Sequence, residues 1–175
     1  MKKSLLILSM ILTTITVFAA RPAETDAHSY KTAFKSLTAV VEEFKNKEGF
    51  DVMSLGPVAI SAVRTLSRMT ADASQDDDTK MAVAFLSGVK KMVVAEYGES
   101  AEDIRNAFNE RVESAMDKIE PIMEANDEED NVKIYGTVDE DTKKVTDLVI
   151  FVRDDCLVCI QGNISLEDVS KMVDE

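Results

Sequence analysis

The sequence has a single histidine, only two cysteines, few basic residues and no apolar run of membrane-spanning length. The lone histidine, His28, falls in a polar, aperiodic stretch from Arg21 to His28. Because catalytic bases near neutral pH are most often histidine, the commonest acid–base and triad arrangements are excluded. The thiols, Cys156 and Cys159, lie far from the N-terminus, so a lipoprotein anchor has no acceptor, and no second cysteine pair exists to complete a zinc site. Phosphate-binding glycine loops, nucleophile elbows and metalloprotease helices are missing as well. The acidic runs Ala73 to Thr79 (ASQDDDT), Asp127 to Asp130 (DEED) and Asp139 to Asp141 (DED) lack the glycine that a calcium loop places at its bend. They read as solvated loops and turns. No residue is assigned a catalytic, cofactor-binding or metal-ligating role.

Basic residues number 20 against 33 acidic ones, a formal charge of −13. Such a surface repels phosphate backbones and anionic lipid, and the lysines and arginines form no patch, which argues against nucleic acid as a partner. The 175 residues amount to one domain, and 45% hydrophobic content is enough for a core.

What is present begins with an export signal. Lys2 and Lys3 precede an apolar run from Leu5 to Phe18, and Val17-Phe18-Ala19-Ala20 supplies the small residues a signal peptidase prefers. The run is shorter than the roughly 20 apolar residues of a spanning helix. Residues 1–20 are therefore expected to be cleaved after Ala19 or Ala20, leaving a periplasmic or extracellular protein that is neither a lipoprotein nor stably inserted in a membrane. A flexible lead-in is expected over residues 21–28, then one globular domain over 29–175.

Within that domain, Tyr30, Phe34, Leu37, Val41 and Phe44 recur at helical spacing, predicting an amphipathic helix from Ser29 to Lys47 that Gly49 ends. Phe50 to Leu55 suits a short strand. Pro57 suits the first turn of a helix burying Ala59, Ala62, Val63, Leu66 and Met69. A short helix over Lys80 to Leu86 leads to a strand over Val89 to Tyr97, with Met92 and Val94 on one face and Val93 and Ala95 on the other. Ser100 is expected to open the longest helix, with Ile104, Phe108, Val112, Ala115, Ile119 and Ile122 as its apolar stripe and a kink or early end near Glu120 forced by Pro121. Asn131 to Val138 alternates as a half-exposed strand.

The C-terminal run from Lys144 to Val173 carries the most mutually consistent signals. Lys144 to Arg153 and Cys156 to Gln161 are rich in β-branched residues and flank Asp154-Asp155, the pattern of a hairpin with a two-residue turn. Gly162 then lets the chain leave the strand, and Ser165 with Asp168 resembles a capping box, Ile164 and Val169 forming its staple. Asn163-Ile164-Ser165 also matches a glycosylation sequon but is better explained by that helix start. Cys156-Leu157-Val158-Cys159 has CxxC spacing, yet thioredoxin-type pairs sit at a helix N-terminus. Residues three apart in a strand are about 10 Å apart and point to opposite faces, beyond disulfide reach. Both thiols read as small buried hydrophobes.

The ending CIQGNISLEDVSKM, after a strand as rich as DLVIFVR, resembles the C-terminal signature of a family of small secreted Bacteroidota proteins catalogued as a domain of unknown function (family 4252). The similarity takes in the N-terminal amphipathic helix, Phe50 to Leu55 and the strand at Lys90 to Ala95. It implies fold and export, and it transfers no functional residue.

The expected architecture is α+β, an antiparallel sheet of about four strands with a C-terminal meander packed against amphipathic helices. A two-residue turn at Asp154-Asp155 would oppose Phe151 to Val158, and the preceding turn would oppose Ile134 to Val149. One face would then carry Val132, Ile134, Val149, Phe151, Val158 and Ile160. Ile150, Val152, Leu157 and Cys159 would form a second apolar face, covered by the Ser29 to Lys47 helix or by a partner. The functional expectation is a non-enzymatic exported protein that binds another protein or itself. The alternative is a small-ligand carrier or hydrolase whose carboxylate site assembles only in three dimensions. An enzyme should show a pocket with converging polar groups; an interaction module should show a flat apolar patch.

Overall fold

The computed structural model describes residues 27–73, 85–126, 131–139 and 141–165. Helix α1 spans Ala27–Phe44, strand β1 Asp51–Leu55, helix α2 Pro57–Ala73, β2 Val89–Glu96, helix α3 Glu102–Met116, β3 Met123–Asn126, β4 Asn131–Asp139, β5 Lys144–Val152 and β6 Cys156–Ser165. A single helical turn at residues 85–88 leads into β2. The expected signal peptide, the loop at 74–79, the acidic turn at 127–130 and the C-terminal helix beyond Ser165 lie outside the described residues.

The fold is α+β, with six sheet strands in place of about four. All are antiparallel, in the order β1-β2-β6-β5-β4-β3. The two additional strands are the sheet edges. The short strand expected over Phe50 to Leu55 is present as β1 and joins the sheet along β2, Asp51 opposite Glu96 and Leu55 opposite Met92. Strand β3 falls where the helical stripe was expected to end. Helix α3 stops at Met116, short of Pro121, and Ile122 donates its N–H to the carbonyl of Ile134, so the chain is already in the sheet.

Other boundaries shift for local reasons. Ala27 and His28 belong to the first turn of α1, which shortens the expected lead-in. At 18 residues α1 is longer than α3, with 15. Ala101 rather than Ser100 is the N-cap of α3. β6 continues past Gly162, where the chain was expected to leave the strand, and pairs Ser165 with Lys144; the helix start expected after Ser165 lies outside the described residues. In α2 the first turns depart from the expected inner face, and the side chains of Leu66 and Met69 lie outside the described residues. Ile60 is buried, while Ala62 and Val63 are exposed. One turn on, the Arg64 guanidinium reaches back to donate to the carbonyls of Leu86 (2.9 Å) and Val89 (3.0 Å).

The register differs from expectation by one residue on both sides of β5. The β5–β6 turn contains three residues, Arg153, Asp154 and Asp155, so Val152 opposes Cys156 and Phe151 opposes Leu157. Asp154, the middle residue of the turn, adopts φ +67°, a left-handed conformation in which aspartate is enriched. Val138 does oppose Val145, but a bulge between Tyr135 and Thr137 then sets Ile134 against Ile150 and Tyr135 against Val149. A second bulge, Gln161-Gly162 of β6, sits opposite Asp147, whose φ is +56°.

The sheet therefore has two buried faces of corrected membership. One packs Val93, Ala95, Tyr97, Tyr135, Val149, Phe151, Leu157 and Cys159 against Tyr30, Leu37, Val41 and Phe44 of α1 and Phe108, Val112 and Met116 of α3. Phe44, Phe50, Tyr97 and Phe108 form an aromatic cluster at its end, with ring centroids 4.6 to 5.7 Å apart. The other face carries Ile134, Leu148, Ile150, Val152, Cys156, Val158 and Ile160, and Ile60 of α2 packs there.

Candidate functional site

Three regions of the described residues draw together groups distant in sequence. The first is the end of the sheet at the β5–β6 turn. Asn109, fully buried in α3, accepts a hydrogen bond from the Tyr97 hydroxyl at 2.7 Å and donates to Asp154 Oδ1 at 2.7 Å. The Tyr97 hydroxyl also lies 3.2 Å from the carbonyl of Val152, and its backbone N–H donates to Asp155. Around this core, Arg105 Nε lies 4.0 Å from Asp154 Oδ1, Arg153 Nε lies 3.8 Å from Asp154 Oδ2, and Arg153 also pairs with Glu113. Burial pushes the Tyr97 hydroxyl well above the usual phenol range, so it stays a neutral donor. Both Asp154 oxygens are engaged, one by an amide and both by cations. This network fixes a strained turn and offers no unengaged nucleophile or base.

The second region consists of two surface grooves. One, of about 490 Å³, runs between α1 and α3 past Ser36, Val40, Glu43, Arg111 and Ser114. Its charged groups pair with each other, Arg111 donating to Glu43 at 2.8 Å. The other, of about 420 Å³, lies beside Ser87, Lys90, Lys144, Asn163 and Ser165. Both are open, and neither brings polar groups to a point. Among the described residues, no three His, Cys, Asp or Glu side chains are placed to hold a metal ion. Asp139 instead closes its own turn, accepting from the N–H groups of Asp141 and Thr142 at 3.0 Å each. The Thr142 bonds hold its carboxyl below the usual range.

The third region is apolar. Met53 in β1 is 49% exposed, Val58 in α2 is 85% exposed and Val63 is 36% exposed. They lie in the run Val52 to Val63, twelve residues without a charge in a chain with 30% charged residues. No other uncharged run among the described residues is as long. β1 is an edge strand, paired on one side only by β2 among the described residues, with no bulge in that ladder. Among the described residues, nothing pairs with its outer edge, which lies beside exposed apolar side chains.

A model of the domain of unknown function DUF4252 matches residues 44–172. The chain belongs to that family. No curated protein and no solved structure matches the chain significantly. In this DUF4252 domain the match runs from the end of α1 through every strand.

The residues singled out from sequence sit as follows. Ile150 and Val152 are buried on the face that also holds Ile60, whereas Leu157 and Cys159 are buried on the face covered by α1 and α3. They do not form one patch. Cys156 and Cys159 are likewise on opposite faces of β6, both buried and not bonded to each other. Burial pushes the Cys159 thiol up to about 12, with Lys91 opposing weakly, which leaves it protonated and inert at neutral pH. Met53 and Val58 were not singled out, and Val63 was assigned to the core. The length of the uncharged run was the available signal, and helical periodicity hid it by placing Val63 inside.

Proposed function

We propose that this DUF4252 domain is an exported, non-enzymatic interaction protein whose contact surface is the β1 edge with the exposed side of α2. The observation that carries this reading is the coincidence of an unpaired edge strand with Met53, Val58 and Val63 in an uncharged stretch. Large exposed apolar side chains beside an open edge are what strand-adding partners recognise. The catalytic alternative asks for converging groups in a concavity. Among the described residues, the cluster Tyr97, Asn109 and Asp154 is engaged in holding a turn. An acidic surface without a basic patch supports protein rather than nucleic acid as the partner. The pattern of Lys2 and Lys3 before an apolar run and Val17-Phe18-Ala19-Ala20 supports export and a site of action in the periplasm or outside the cell.

Crosslinking in the native host, followed by purification and mass analysis, tests this reading. Discrete crosslinked protein species are expected for the native sequence and are lost in Val58→Glu, with the chain beginning at residue 20 or 21. Crosslinks of equal yield in native and Val58→Glu protein would overturn the surface. A mass retaining Met1 would overturn export.

A further inference from the structure

We propose that β1 pairs antiparallel with β1 of a second copy across a two-fold axis at Met53, joining two six-stranded sheets into one. This rests on the interaction reading and names its partner. Three observations carry it.

The first is charge. Copies of a chain with net charge −13 repel one another, and a self-contact must form where that charge is thinnest. The Val52 to Val63 run is that place. The exposed side of α2 here carries Val58, Ser61, Ala62 and Thr65.

The second is register. With Met53 on the two-fold axis, Met53 faces its own copy, Val52 faces Ser54, and Asp51 faces Leu55. The sole carboxylate of the strand thus meets an aliphatic side chain, and the two aspartates sit at opposite ends of the ladder. A two-fold axis normal to the sheet also keeps faces matched. Met53 opposes Val94 of β2 and so lies on the face where α2 packs, which puts both α2 helices on the same side of the junction. Met53 and α2 of each copy then line one continuous apolar seam.

The third is the contrast between the two edges. Natural sheets block edge pairing with charges, prolines or bulges. At the far edge, β3 is four residues long, carries Glu124 within 3.6 Å of Lys133, and runs in sequence into Asp127-Glu128-Glu129-Asp130. β1 has no proline, lysine or bulge between Asp51 and Leu55. With five strand residues and the start of one helix per copy, the contact is at the small end of specific interfaces. The dimer is therefore weak and concentration-dependent.

Sedimentation of protein purified from the exporting host, over a wide concentration range, should show mass rising from monomer to dimer. Met53→Lys sets two like charges on the axis, and we expect it to weaken association at least about tenfold. Because Met53 is half-exposed, thermal stability of the dilute variant should be unchanged. Position is tested by oxidation of Met53→Cys. Directly opposed strand residues lie about 4.5–5.5 Å apart at Cα, inside disulfide range, so a linked dimer should form in high yield. In Asp51→Cys, two positions off the axis and so four positions along the ladder from its own copy, the thiols would be about 14 Å apart and should not link. A native monomer at all concentrations, a dimer indifferent to Met53→Lys, or linkage at position 51 in place of 53 would each overturn the proposal. A monomer that still gives Val58-dependent crosslinks to a different protein overturns this inference and leaves the interaction reading standing. A monomer with no crosslinks removes both.

Discussion

The Tyr30 hydroxyl in the first turns of α1 donates a hydrogen bond to the carbonyl of Asp147, 2.5 Å away and 117 residues further along the chain. Asp147, held at φ +56°, belongs with Leu148 to the β5 bulge opposite Gly136 of β4 and also faces the Gln161-Gly162 bulge of β6. Its carboxylate Oδ1 in turn accepts from the N–H of Gly162 on β6 at 3.4 Å. The bulge is thus gripped from the helix through its carbonyl and from the next strand through its side chain. It is a fixed joint of the sheet, since a bulge interrupts the ladder and must satisfy its extra backbone groups elsewhere.

Tyr30→Phe keeps the ring and removes only this bond, leaving the Asp147 carbonyl without its helix donor. The expected cost is about 1–2 kcal/mol of unfolding free energy, measured by urea denaturation. Amide exchange should accelerate around residues 146–148 more than elsewhere. A stability loss with unchanged local exchange would separate the bond from the bulge.

Asn109 joins Tyr97 to Asp154 from a fully buried position. Asn109→Leu removes both bonds while filling similar space, at an expected cost of about 2 kcal/mol. Asn109→Asp should be worse despite its closer shape, because it buries a carboxylate facing Asp154 and forfeits the amide donor. If the two variants rank the other way in denaturant midpoint, the network is not the source of the turn's stability.

Much of this was legible in the sequence, and the misses have particular causes. Helices α1 and α3 and strands β2, β4, β5 and β6 follow from period, because each has a continuous apolar stripe. Val93 and Ala95 do lie on one face of β2, with Met92 and Val94 on the other. The pairing of β5 was off because Arg153 gives no sign that it belongs to the turn, and Asp154 and Asp147 take left-handed conformations that aspartate allows without demanding. One residue of slip exchanges faces, so Val149 and Phe151 moved to the helix-covered side. β3 was missed because a four-residue strand rich in neither β-branched nor aromatic residues has no period of its own. The open edge was missed because exposure depends on what does not pack, which a pattern search for what does pack leaves out.

Alkaline conditions should destabilise the domain. Burial raises the Cys159 thiol from an ordinary value of 9.0 to about 12 and the Tyr135 hydroxyl from 10.0 to about 12, with Glu124 and Glu113 adding to the latter. Burial likewise raises the hydroxyls of Tyr30 and Tyr97. Across that window the unfolded chain sheds protons that the folded chain keeps, so stability is full below about pH 9 and declines towards pH 12. Thermal midpoints measured over this range should fall steadily. Cys159→Ala should delay the onset to the tyrosine range, near pH 10, on top of a pH-independent loss from the smaller side chain.

Gly88 and Gly162 face each other where β2 begins. A methyl group on Gly88 would lie 2.1 Å from the Asn163 carbonyl oxygen, and one on Gly162 would lie 2.1 Å from the Gly88 carbonyl oxygen. Gly162 also has φ +154°, which a side chain disfavours. Either glycine to alanine change should cost about 3 kcal/mol or more, since backbone rather than a flexible side chain must move. Gly56→Ala is the control. Nothing lies within 4 Å of its would-be methyl group, and a change within about 0.5 kcal/mol is expected by the same thermal assay.

The seam those glycines begin has a consequence for how the chain is made. β2 joins the N-terminal half of the sheet to the C-terminal half through β6 alone, with Glu96 opposite Cys156 and Val89 opposite Gly162. During synthesis β1 and β2 emerge first, yet the second edge of β2 has no partner until β6, the last strand, has been completed. β4, β5 and β6 are successive hairpins and can zip quickly once present, whereas the β2–β6 ladder must close across everything between. The nascent chain thus carries an open, apolar strand while the roughly 70 residues from Glu96 to Ser165 are made. A chaperone that shields extended segments would have its natural hold at Val89–Glu96.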